Sequence, residues 1–440
     1  MDGSMARAQP TPGERAAKGR DMLNRKKTRI SRRQFNALAG AAGVTLGSGG
    51  LKAFAQAKPD SAAIIHGKKS GMIIHNAKLA VMETPLTELR KYEITPKEIL
   101  FNRFHFPHEG DAAWYVTEAP PSAEMVKNWT IRVDGLVQRP RSVTIADLQK
   151  QPQEKRQSVL QCAGNGRAYY AAKQKVGGGQ WHNGGMGNVE WEGVPLRPFI
   201  ESLKMEISPA AHWLTAEGWD QPATPVGSDF AKSYHMADTA LDHAILALKM
   251  NGEPIPATNG GPVRLIIPGY YGNMNVKMLT ELLFMAEQSP SAFQSVGYRM
   301  PNEPVEPGKF GANDFTWYNS KPTYGHVIKS VIFSPLPEDK PKSGMVTITG
   351  VAFNDGNAKI TSVEVSADGG KTWHNAEIKP PASPWAWHHW SVKAHLGKGK
   401  QTLMCRATDA IGRTQPMDGL TRWNPRGFEW NGVDRVELEG

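Results

Sequence analysis

The sequence predicts an α+β domain over residues 101–320 followed by an immunoglobulin-like β-sandwich over residues 325–440, behind a leader at 1–55 and an arm at 56–100. Three observations predict this. A chain of 440 residues exceeds what one hydrophobic core usually organises, so two or more domains are expected. Between residues 101 and 310, short apolar runs alternate with Gly- and Pro-rich turns, as where Val263 to Ile267 meets Pro268 and Gly269. From about residue 325 the pattern becomes one of closely spaced strands: Met345 to Thr349 and Ile360 to Val365 alternate polar with apolar, Asp368-Gly369-Gly370 makes a hairpin turn, and Gln401 to Ala407 precedes the turn at Asp409 to Gly412.

Hydrophobic residues make up 40% and charged residues 21%, the balance of a folded globular chain rather than a disordered one. The net charge of +10 would suggest nucleic acid or membrane as a partner if it were spread over the fold. It is concentrated instead in the leader: residues 1–55 hold 11 of the 52 Lys and Arg but 3 of the 42 Asp and Glu, leaving the remainder near balance. No nucleic-acid partner is expected.

Within the leader, Arg32 and Arg33 precede a weakly apolar run from Ala37 to Leu46 and the small-x-small triplet Ala53-Phe54-Ala55, which suits a signal peptidase. Adjacent arginines before a modestly hydrophobic segment resemble a twin-arginine signal, the route of proteins exported already folded around a cofactor. The rest has no apolar run near the ~20 residues a membrane span needs. The mature chain is therefore expected in the periplasm. Residues 56–100 are polar and of mixed pattern, hence the reading as an arm.

Cys162 and Cys405 are the two cysteines, and sequence alone leaves a bridge between them open. There is no C-x-x-C-H for a c-type haem and no zinc spacing, so a metal must lean on one thiolate or on a cofactor's own ligands. Cys162 ends the apolar run Ser158 to Gln161 and precedes Ala163-Gly164-Asn165-Gly166-Arg167. A cysteine in an apolar run is most often inert packing. Here the glycines let backbone N–H groups approach an anion, and a guanidinium five residues on lowers a thiol pKa.

That loop resembles the cysteine loop of the sulfite oxidase family. The resemblance continues in order through Arg103-Phe104-His105, Trp191 to Leu196, Met250 to Pro254, Gly261 to Leu265, Val276-Lys277 and Tyr298, and then through Val363 to Ser366, Asp368 to Gly370 and Trp373 in the sandwich. It implies a molybdopterin-binding catalytic domain, a dimerisation domain and a homodimer, with molybdenum-molybdopterin held by the Cys162 thiolate. Arg103 and Arg167 fall at the family's substrate-arginine positions, His105 at a histidine of bacterial members, and Tyr298 at the active-site tyrosine. Arg264 and Lys277 fall at pterin positions, flanked by Phe101, Asn102, Phe104, Asn275 and Val276, with Asp220 a further pterin candidate. Independently of the resemblance, an arginine inside the apolar run Val263 to Ile267 would be costly to bury without an anion.

Three departures from the family pattern stand out. Asn259 replaces a histidine, Gly166 replaces a second arginine, and His388 stands in Trp385-Ala386-Trp387-His388-His389-Trp390 where relatives often carry a substrate-reaching arginine. The resemblance implies oxidation of sulfite to sulfate, with electrons leaving to a c-type cytochrome, because this chain has no haem motif of its own. A sulfane dehydrogenase subunit acting on carrier-bound sulfur has the same organisation. A reductase of the methionine-sulfoxide type shares the core but lacks the sandwich. A periplasmic binding module is the non-enzymatic alternative, and it predicts no molybdenum.

Overall fold

The computed structural model describes residue 60 and residues 64–106, 114–220 and 229–439. The leader at 1–55 lies outside them. Two five-stranded sheets build the first domain. One is mixed, in the order Ala231–His235, Trp213–Gly218, Leu279–Met285, Thr130–Gly135 and Arg141–Thr144, with only Leu279–Met285 and Thr130–Gly135 running parallel. The other is antiparallel and joins Glu253–Pro254, Ile245–Met250, Met186–Pro195 and Glu154–Gln161, with Arg264–Ile266 pairing Ile245–Met250.

Helices are short, and several begin where a side chain satisfies a free N–H group, as Ser122, Thr144 and Ser291 do. Before Ile145–Gln149, the Thr144 hydroxyl accepts from the Asp147 N–H at 3.1 Å while the Asp147 carboxylate accepts from the Thr144 N–H at 3.2 Å. Among the described residues no helix is long and apolar enough to cross a membrane.

The second domain is a sandwich of two four-stranded antiparallel sheets. Lys329–Ser334, Gly344–Phe353, His388–Leu396 and Glu377–Ile378 form one; His374–Asn375, Ile360–Ser366, Lys400–Asp409 and Asp434–Glu439 form the other. Alternation selects the inner faces: in Asp434–Glu439 every second residue is buried, so that Val436 and Leu438 meet Ile332, Ile348 and Trp390 of the facing sheet. Each such fully buried aliphatic side chain contributes about 1.5–3 kcal/mol. Cys405 lies in this core, and both cysteines are free, which removes the bridge that sequence left open.

Two boundaries differ from expectation. The segment expected as an arm supplies core instead: Ile65, Met82, Leu89, Ile99 and Leu100 are all buried. Its apolar residues are interrupted by Lys68 and Glu83, which looked exposed in sequence but are buried because each has partners far along the chain. Lys68 pairs with Glu118 at 3.0 Å, and Glu83 accepts from the His182 and Gly184 N–H groups at 3.0 and 2.8 Å. At the other end, residues 423–430 leave the sandwich and lie against the first domain, where Phe428 joins the main core.

Candidate functional site

The cysteine loop is set by backbone hydrogen bonds at the end of Glu154–Gln161. Cys162 N–H donates to the Gly185 carbonyl at 2.9 Å, and the Asn165 side-chain oxygen accepts from Gly185 N–H at 2.9 Å. Glu83, anchoring Gly184 next door, thereby ties the N-terminal segment to the cysteine. Gly166 has φ 92°, and a Cβ there would fall 2.5 Å from the Trp430 ring. The absence of an arginine at this position thus has a steric cause, since an L side chain meets both the left-handed backbone and the indole.

Cys162 is buried, yet it lines a cavity together with Phe101, Arg103, Phe104, His105 and Tyr298. The same cavity continues to Asp220, Asn259, Arg264, Asn275 and Lys277. The predicted residues from six separate stretches of sequence therefore converge. Four do not line the cavity. Arg167 stands beside it, close enough to act electrostatically on Cys162 and Tyr298. Asn102 turns away, donating to the Ala80 carbonyl at 2.8 Å and accepting from Lys277 at 3.2 Å. The Val276 side chain is core, and its carbonyl accepts from Leu265 N–H at 3.0 Å.

His388 is the fourth. It sits in the sandwich strand His388–Leu396 opposite Ala352, with Lys359 as its charged neighbour, and does not reach the cavity. The sandwich side instead provides Arg426, which sequence reading missed. Arg426 acts electrostatically on Tyr298 and Arg167, its Nη2 donates to the Ala312 carbonyl at 2.7 Å, and its buried Nε has no protein partner. Its signal was a lone arginine before a glycine in Trp423-Asn424-Pro425-Arg426-Gly427, in a stretch with no strand pattern. Asn273 and Phe230 also line the cavity and were not anticipated.

The site is cationic and short of counter-charge. Arg264, fully buried, donates to the carbonyls of Asn275 and Asn259 at 3.1 and 2.8 Å, and burial pushes its pKa down to about 9. Lys277 donates to the Thr258 carbonyl at 2.7 Å and lies 4.3 Å over the Phe104 ring; burial, then Arg264, hold its pKa well below the usual lysine range. Arg103 keeps a buried Nη1 without a protein partner. The carboxyl of Asp220 is pushed up to about 6 by burial, against the pull of Lys277. For Cys162, burial raises the thiol pKa while Arg167, the Gly164 N–H and Arg103 lower it. Buried cations with no carboxylate partner are stable only opposite an anion.

Tyr298 is held from several sides. Its φ is 55°, its ring stacks on Phe428 with centroids 5.1 Å apart and planes 11° apart, and its hydroxyl shares a hydrogen bond with His105 Nε2. Burial first, then Arg103, Lys277 and Lys232, hold His105 well below the usual imidazole pKa, so it is neutral.

Residues 117–293 match the oxidoreductase molybdopterin binding domain, and residues 320–439 match the Mo-co oxidoreductase dimerisation domain. The chain is 29% identical over 368 residues to a sulfite oxidase of Gallus gallus, aligning 81% of this chain with 75% of that protein. It is 30% identical over 370 residues to the mitochondrial sulfite oxidase of Homo sapiens, covering 81% of this chain but 63% of that protein, less than two thirds of its length. A chain in the crystal structure of the sulfane dehydrogenase SoxCD from Paracoccus pantotrophus has the same fold, with a TM-score of 0.68 and 26% identity over 90% of this chain and 94% of that one.

Fold and site together define a molybdopterin-binding oxidoreductase. The chain belongs to the sulfite oxidase family of molybdenum enzymes, and its cofactor is molybdenum-molybdopterin. The cavity fits that group. Arg264 and Lys277 suit a phosphate, the partnerless side-chain oxygens of Asn259 and Asn273 suit ring N–H donors, and Cys162 offers a sulfur. Among the described residues no three His, Cys, Asp or Glu side chains cluster as a metal site, so the remaining ligands must come with the cofactor.

Proposed function

We propose that the protein oxidises sulfite to sulfate in the periplasm and passes the electrons to a c-type cytochrome. The observation that carries this reading is the company of Cys162: one thiol beside Arg103 and Arg167, with Arg426 acting on Arg167 and Tyr298 behind them, and none of the three guanidinium groups forms an ion pair among the described residues. Such a set selects a small, highly charged oxyanion. When bound, the cofactor supplies the oxidation and the transferred oxygen, so that sulfite and water give sulfate, two protons and two electrons.

The chain's own part is binding and orientation. Cys162 holds the metal; Arg264 and Lys277 hold the pterin phosphate, while Asn259 and Asn273 accept from the ring. The three arginines fix the oxyanion against a wall formed by Tyr298, and the neutral His105 holds a proton in common with the Tyr298 hydroxyl. The matched dimerisation domain supports a homodimer, and the Arg32–Arg33 leader supports export of the folded holoenzyme.

A second reading, oxidation of sulfur carried on another protein, is favoured by the extent of the likeness to the sulfane dehydrogenase chain. Assays with free sulfite, using ferricyanide and then a c-type cytochrome as acceptor, test the choice. Turnover of free sulfite with both acceptors is expected; turnover of a sulfur-loaded carrier alone would favour the second reading. Fractionation after Arg32→Lys with Arg33→Lys tests the route, with loss of periplasmic protein expected.

A further inference from the structure

A second layer of positive charge lies behind Tyr298. Lys232 belongs to Ala231–His235, the edge strand of the mixed sheet, where lysines ordinarily point to solvent. This one is fully buried. Its Nζ donates to the Phe293 carbonyl and stands 4.9 Å from the centroid of the Tyr298 ring. Arg299, the next residue after Tyr298, is also buried and bonds only neutral groups, the Ser320 hydroxyl at 2.9 Å and the Gln294 carbonyl at 3.1 Å among them. Neither cation has a carboxylate beside it among the described residues.

We infer that Lys232 is a positioning residue of the anion site, pinning the Tyr298 ring by a cation–π contact and placing a positive charge behind it that makes the cavity prefer doubly charged oxyanions to singly charged ones of the same shape. A lysine does not stay buried without compensation: removing its ammonium from water is costly, and the aromatic face and one carbonyl return only part of that cost. The missing negative charge is the one an oxyanion brings to the cavity that Tyr298 lines. Burial and the nearby Arg299 press its pKa well down, and His105, also facing it, is neutral, so the ammonium form is stabilised by the negative charge that a bound oxyanion brings. The contact also stabilises Tyr298 in its unusual backbone conformation, between Lys232 and Phe428.

The inference rests on the oxyanion reading of the cavity. The test is calorimetric titration of the holoenzyme with sulfate and with perchlorate, tetrahedral ions of charge −2 and −1, at fixed ionic strength. Lys232→Gln keeps a donor for the Phe293 carbonyl but removes the charge; Lys232→Arg keeps the charge, and Lys232→Met replaces the glutamine variant should that one fail to fold. Because Coulomb energy is proportional to ligand charge, Lys232→Gln should weaken sulfate by about tenfold and perchlorate by about threefold, and Lys232→Arg should restore both. Equal losses for the two ions would mean a merely structural lysine, and unchanged sulfate binding would mean no role at all; either overturns the inference. A wild-type protein that binds neither ion would overturn the oxyanion reading along with it.

Discussion

Arg167 Nε donates to the main-chain carbonyl of Arg426 at 3.0 Å, across 259 residues of sequence. This one bond ties the loop that carries Cys162 to the segment that returns from the sandwich, and Arg426 lies close enough to act electrostatically on Arg167 and Tyr298. The sandwich is thus part of the site: Glu429 N–H donates to the Ala163 carbonyl at 2.9 Å, and the Tyr170 hydroxyl donates to the Phe428 carbonyl at 3.0 Å.

Arg426→Met should therefore act on substrate capture. A charge-assisted hydrogen bond is worth about 1.5–3 kcal/mol, so kcat/KM for sulfite should fall by roughly 10- to 100-fold, most of it in KM. Steady-state kinetics with ferricyanide check this. His388→Ala should leave the same constants within about twofold, since surface and core changes away from a site rarely alter transition-state binding.

Gly166→Arg, which restores the residue common in animal members, should destabilise the protein rather than improve it. The left-handed backbone costs an L residue about 1–2 kcal/mol, and the Cβ would displace the Trp430 ring. Thermal unfolding should show a lower melting temperature, with molybdenum content falling in parallel.

His326 should make the fold acid-sensitive. Burial lowers its pKa to about 3, so the folded state strongly prefers the neutral ring while the unfolded chain protonates near pH 6.5. The depressed value means its contribution is fully present above about pH 6.5 and is lost as pH falls towards 3, by roughly 4 kcal/mol at the lower end. Urea unfolding from pH 7 to pH 4 should show a steep fall in midpoint for the wild type and a shallower one for His326→Gln.

How far these features were legible in sequence follows from where their partners lie. The Cys162 loop was readable because its apolar strand, glycines and arginine are contiguous, and Arg264 because a charge inside Val263 to Ile267 is conspicuous. The sandwich was readable from alternation that its inner faces obey. The segment 64–106 was not, because Lys68 and Glu83 interrupt its apolar pattern and find their partners at Glu118 and at residues 182–184. Arg426 was hidden for the same reason: it acts beside Arg167 and Tyr298, far away in sequence, and the aromatic run at 385–390 drew attention to His388 instead. Lys232 gave no sign, since an edge-strand lysine reads as solvent-facing.

The proposed chemistry turns on the Cys162 sulfur being the protein's own ligand to molybdenum. X-ray absorption at the molybdenum edge of the holoenzyme measures this directly, by counting sulfur neighbours in the wild type and in Cys162→Ser. The prediction is one fewer sulfur in the variant, with sulfite oxidation lost and Cys405→Ser unaffected in both respects. An identical sulfur shell in wild type and Cys162→Ser would contradict it.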